Sequence, residues 1–145
     1  MQIAFYRGRA RLFNRLVSWW LRGPYSHCEL LLEAMGEGRY LCASSSFLDG
    51  GVRLKVIELH PDRWDIVTVN ASARQAREWF YAHQGEGYDV LGLLGFVWRR
   101  TADDRGRWFC SEALAASMGF ADAWRFDPCT LAAALQPHHA PPATA

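Results

Sequence analysis

The chain has 145 residues, one domain's worth, and at 50% apolar and 21% charged it has the composition of a packed globule rather than a disordered polymer. Its four cysteines, about 3% of the chain, fall well below the ~8–10% of a disulfide scaffold. Sixteen basic and fifteen acidic residues leave a net charge of +1, no field with which to gather nucleic acid.

All the basic residues except Lys55 are arginine. A GC-rich coding genome explains that bias at least as well as bidentate anion binding does. No apolar run approaches the ~20 residues of a spanning helix. Arg7, Arg9 and Arg11 precede a stretch broken by Arg15, with no small-residue cleavage site, so the start does not read as a signal peptide. The expected setting is a cytoplasm with reduced thiols, or a virion if the gene is phage-borne.

Residues 2–6 read as a strand. Leu12, Leu16, Trp19 and Trp20 have helical spacing over 10–21, and Arg22-Gly23-Pro24 ends that helix. Residues 26–33 and 39–46 form a hairpin about Met35-Gly36-Glu37-Gly38. Asp49-Gly50-Gly51 turns the chain into a strand over 52–59, and 64–70 is a further strand. Ser72 with Gln75 fits a capping box for a helix whose face carries Ala73, Ala76, Phe80 and His83. Gly85-Glu86-Gly87 stops it. Residues 88–98 read as a second apolar helix with Asp89 in its first turn, and 99–107 as a charged exposed loop carrying Arg99, Arg100, Arg105 and Arg107. A short helix over 110–118 is closed by Gly119. Asp127-Pro128 starts a helix over 128–136, and 137–145 is a disordered tail. The expected fold is one α+β domain over 1–136: an antiparallel sheet of about four to five strands with helices packed on one side.

Two residues stand out chemically. Cys110 opens a helix, where unpaired N–H groups and the positive dipole end favour a thiolate; the bland alternative is a buried structural cysteine. His27 begins a strand just after the turn-like Gly23-Pro24-Tyr25-Ser26, with Glu29 on the same face and Cys28 on the other. It reads either as a general base or as a histidine ion-paired to Glu29 within the sheet. Together they supply the thiol and base that a cysteine hydrolase needs.

Pro24-Tyr25-Ser26-His27-Cys28-Glu29-Leu30, Tyr88-Asp89 and Phe109-Cys110-Ser111-Glu112 resemble the circularly permuted, NlpC-like group of papain-fold hydrolases, in element order over roughly 2–136. The resemblance implies Cys110 as nucleophile and His27 as base, in peptidases, amidases or lipid acyl-transferring enzymes. The pattern departs at the third polar residue. The group places a histidine or acid on the strand after the histidine strand, and here that strand reads Tyr40-Leu41-Cys42-Ala43-Ser44-Ser45-Ser46. Ser44 is the first choice to hold the ring, with Glu29 as a substitute from within the histidine strand.

The metal reading is weaker. His27-Cys28-Glu29 satisfies the H-x-E of zinc deaminases, but after Pro128-Cys129 the position of the second cysteine is Ala132. No metal or cofactor is expected. The expected function is a cysteine hydrolase acting on an amide or peptide bond of a peptide, peptidoglycan-like or acyl substrate. The rivals are a non-catalytic binding module with a degenerate cleft and an acyl-transfer or thioesterase enzyme on the same fold.

Overall fold

The computed structural model describes residues 1–7, 23–89 and 106–135. The helix expected over 10–21, most of the segments 88–98 and 99–107, and the tail 137–145 lie outside the described residues. Five strands come first: β1 (Gln2–Tyr6), β2 (His27–Gly36), β3 (Arg39–Ser46), β4 (Gly51–Glu58) and β5 (Trp64–Thr68). Then follow α1 (Ala73–Ala82), the two-residue strands β6 (Gly87–Tyr88) and β7 (Arg107–Trp108), α2 (Cys110–Ser117), a 3-10 turn (Ala123–Arg125) and α3 (Pro128–Leu135).

The architecture is α+β, as the sequence indicates, but the sheet is larger than expected and is not purely antiparallel. Among the described residues seven strands run in the order β5-β1-β2-β3-β4-β6-β7. Every neighbouring pair is antiparallel except β6–β7. Strand β6 corrects the helix expected from residue 88, because Tyr88 is in extended backbone. Gly87 pairs with Gly51 on one side, and Gly87 and Tyr88 pair with Arg107 and Trp108 on the other. Two residues supply little periodicity, so this pairing left no trace in the pattern.

Local chemistry explains most of the boundaries. Glu37 (φ 54°) and Gly38 (φ 72°) make the two-residue turn between β2 and β3, whose twist matches the strands it joins. The Ser72 hydroxyl accepts from the Gln75 N–H (3.2 Å) and starts α1. The buried stripe of α1 is narrower than the spacing suggests, with Ala76 and Phe80 buried and Ala73 exposed. Asp127 accepts from the N–H groups of Cys129 (2.7 Å) and Thr130 (2.9 Å), capping α3 as expected.

The core lies between one face of the sheet and the helices. Phe5, Cys28, Leu30, Ala43 and Val52 meet Phe80, Ala113, Leu114 and Leu131. Burying side chains the size of Phe80 or Leu114 stabilises the fold by roughly 1.5–3 kcal/mol each. The other face of the central strands is also buried, but by polar groups: Glu29 and Ser44 are fully buried there.

Gly51 has a particular duty. Its φ is 145°, and a Cβ there would stand 1.9 Å from the Glu86 carbonyl oxygen. The Val52 N–H donates to Glu86 O (2.8 Å), and the Gly85 N–H donates to Val52 O (2.9 Å). Only a glycine lets β6 approach β4 this closely. Strand β6 in turn carries β7, and β7 leads directly into Phe109 and Cys110.

Candidate active site

Cys110 is the first residue of α2. The preceding Phe109 has an extended backbone (φ −97°, ψ 168°), and its N–H donates to the Glu112 carboxylate (3.4 Å), the reach-back half of a capping box. The entry to the helix is pinned on both sides. The Ser45 hydroxyl donates to Trp108 O (2.6 Å) and the Ser111 hydroxyl to Phe126 O (2.7 Å). Cys110 therefore faces inward, 4% exposed, in the core cluster that also holds Cys28.

His27 opens β2. The strand start is held by the Tyr6–His27 pairing and by the Ser26 N–H donating to Tyr6 O (3.1 Å). Just upstream, the Tyr25 hydroxyl donates to Asp65 (2.8 Å). His27 is the first residue of β2, the strand that packs against α2. Its Nε2 lies 2.7 Å from Glu29 Oε1. That contact occupies Nε2 and leaves Nδ1 for a second partner; Cys110 is near enough for its charge to act on the ring. The structure thus brings together Cys110, His27 and Glu29.

Glu29 is fully buried and accepts from Arg53 as well, Nη1 to Oε2 at 2.7 Å and Nη2 to Oε1. Arg53 Nε donates to Asp49 Oδ2 (3.0 Å), and Lys55 Nζ donates to Asp49 Oδ1 (2.8 Å). The chain of contacts therefore runs from the thiol to the surface.

The electrostatics follow from these contacts. The Cys28 thiol hydrogen-bonds to Cys110, and with the adjacent imidazolium this holds Cys110 well below the usual thiol range despite its burial. Burial by itself lowers the affinity of His27 for a proton. The Cys110 thiolate and the Glu29 carboxylate outweigh burial and push His27 up to about 10. Glu29 is held below its ordinary value: burial opposes this, but the Arg53 and His27 hydrogen bonds prevail. The remaining thiols move the other way. Burial raises Cys28 well above the usual value, takes Cys42 up to about 12 and raises Cys129.

Ser44 does not hold the ring. Its hydroxyl donates to Cys28 O (2.7 Å) across the strands and contacts Ser45 O (3.3 Å), so its hydrogen bonds go to backbone. Glu29, the substitute, takes that place because side chains two apart on one strand share a face. Sequence reasoning missed Arg53. Its place beside Lys55 on the polar face of β4 was the available signal, but that face reads equally well as solvated.

The half-buried face of His27 borders a cleft of about 430 Å³, with Glu29, Arg53 and Asp49 on its floor and Phe47 and Tyr88 among its walls. Of the arginines expected near Cys110, only Arg107 lies among the described residues, and it belongs to β7. Asp89 is buried, with its N–H donating to Trp108 O (3.3 Å). Cys129, the cysteine of the zinc-like fragment, donates its thiol to Tyr25 O (3.3 Å). Among the described residues no three His, Cys, Asp or Glu side chains converge as a metal site. No family model matches the chain, and no curated protein matches it.

Proposed function

We propose that the protein is a cysteine hydrolase that cleaves an amide or peptide bond through Cys110 and His27. The observation that carries this reading is the buried Glu29 carboxylate bonded to the His27 ring, with Cys110 opening a helix within electrostatic reach of that ring. Glu29 holds Nε2 of His27 at 2.7 Å, so the imidazolium keeps its other nitrogen for the Cys110 sulfur at a helix start. A thiolate so held is already the nucleophile.

The chemistry proceeds in two halves. The Cys110 thiolate attacks the carbonyl carbon, and the electron pair of the C=O bond moves to oxygen. The first N–H groups of α2, which have no intrahelical acceptor, stabilise that oxyanion. The C–N bond then breaks as the His27 imidazolium gives its proton to the leaving nitrogen. A thioester remains on Cys110. In the second half neutral His27 takes a proton from water, the hydroxide attacks the thioester, and the acid and thiolate are released. Glu29 stays ionised throughout and fixes the ring.

The binding-module reading took its motive from the missing orienter on the strand after His27. Glu29 fills that role from within the histidine strand, which favours a working pair. The resemblance to permuted papain-fold hydrolases points the same way and remains part of the proposal.

The test uses an activated ester, p-nitrophenyl acetate. A burst of p-nitrophenolate, with an acetyl adduct mapped to Cys110, is the expected result. Cys110→Ser and His27→Ala should each abolish the burst. Absence of any adduct on Cys110 in the folded protein, or a burst that survives His27→Ala, would overturn the reading.

A further inference from the structure

Arg53 reaches Glu29 from two strands away. Strand β3 lies between β2 and β4, and the residue beneath the guanidinium is Ser44, which pairs with Arg53. Ser44 follows Ala43, the partner of Leu30, and therefore stands beside Glu29. Its side chain is small and its hydroxyl is turned into the Cys28 carbonyl. That leaves an open lane over β3 through which a long arginine passes. Arg53 is only 13% exposed and uses all three of its nitrogen positions, two on Glu29 and one on Asp49.

The charges along this lane alternate. Glu29 lies between His27 and Arg53, and Asp49 between Arg53 and Lys55, so carboxylates and basic groups alternate from His27 to Lys55. Cys42 on β3 and Tyr88 on β6 are pushed away from ionisation by burial, as is Cys28 on the opposite face of β2; Tyr6 and Glu58 also line the cleft. A buried thiolate is expensive unless its field is cancelled nearby. Without Arg53, the fully buried Glu29 would keep only the half-buried His27 as a cationic partner. A proton would then be drawn to Glu29 or to Cys110.

We propose that Arg53 is a positioning residue for the Cys110–His27 pair: its bidentate grip fixes Glu29 toward His27 and thereby holds the ring in place for Cys110. Asp49, held by Lys55, fixes the rear of the guanidinium in turn. A lysine in place of Arg53 supplies the charge but not the fork. The proposal rests on the Cys110–His27 reading above.

The test is the pH dependence of iodoacetamide alkylation at Cys110, mapped by mass spectrometry, in the full-length protein and in Arg53→Met, Arg53→Lys and Asp49→Asn. In Arg53→Met the acid limb should move upward by about 1–3 pH units, the size of shift an adjacent opposite charge produces. The rate at the parent's acid midpoint should then fall about fivefold or more. Arg53→Lys should fall between the parent and Arg53→Met, and Asp49→Asn should shift the limb slightly in the same direction. A folded Arg53→Met whose profile superimposes on the parent's would overturn the proposal, since a purely structural ion pair would lower the melting temperature without moving that limb. If Arg53→Met does not fold, unchanged limbs in both Arg53→Lys and Asp49→Asn overturn it equally. The two readings separate cleanly. If the parent titrates like a free thiol near ~8.5, the Cys110–His27 pair fails and this inference with it. If the parent reacts at low pH and all three variants match it, only the role of Arg53 fails.

Discussion

Replacing Glu29 with glutamine keeps the shape of the side chain and removes its charge. In the parent the carboxylate lies 2.7 Å from His27 Nε2 and takes two donors from Arg53. Loss of an opposite charge in contact lowers the pKa of a cation by about 1–3 units. His27, pushed up to about 10 in the parent, should then titrate at roughly 7–9 in Glu29→Gln. The basic limb of Cys110 alkylation should move down accordingly. Stability should also fall. Removing one partner of a buried ion pair costs about 3–5 kcal/mol. The lower end applies here, because His27 is 22% exposed and Arg53 keeps Asp49. Urea unfolding at neutral pH measures this. The sign with pH is fixed by linkage. His27 has a folded pKa above its unfolded 6.5, so its stabilisation is complete below 6.5 and is lost as pH rises through about 10. The stability gap between parent and variant should therefore narrow as pH rises through that range. A variant with an unchanged basic limb and a loss under about 1 kcal/mol would refute the view that Glu29 holds a charged His27.

Limiting iodoacetamide at pH 6 should label Cys110 ahead of the other three thiols, all of which burial pushes upward; peptide mapping that finds Cys129 or Cys28 labelled first would contradict this. Gly51→Ala should destabilise by at least about 2 kcal/mol, because the new Cβ meets the Glu86 carbonyl at a φ that L residues avoid; a melting temperature within a degree or so of the parent's would show that β6 yields freely. Ser44→Ala should cost about 1 kcal/mol for the lost bond to Cys28 O and leave the alkylation profile in place. Ser44→Leu, by filling the lane over β3, should raise the acid limb as Arg53→Met does; the comparison is made on the same mapped alkylation assay.

Local chemistry was legible wherever its cause lay within a few residues. The caps at Ser72 and Asp127 pair side chains with N–H groups two or three positions on, and the local order of residues reveals them. The alternation of β2 places His27 and Glu29 on one face, which is what allows Glu29 to reach the ring. The α+β class follows from the same periodicities. The sheet's sixth and seventh strands and their parallel pairing did not follow, since Gly87–Tyr88 and Arg107–Trp108 are each two residues long and are defined only by their partners. Ser44 was a reasonable choice for the orienter by position, yet tertiary packing turned its hydroxyl to the backbone and made its small size the property that matters. Arg53 shows the limit most clearly. It lies 24 positions from Glu29 and two strands away, and only the register of β2, β3 and β4 brings the guanidinium over Ser44 to the carboxylate. A sequence fixes which residues face the same side of a strand, because that depends on a period of two. Which strand lies beside which, and in what register, is decided by the whole sheet closing on its core, and the charge chain that supports Cys110 exists only once that has happened.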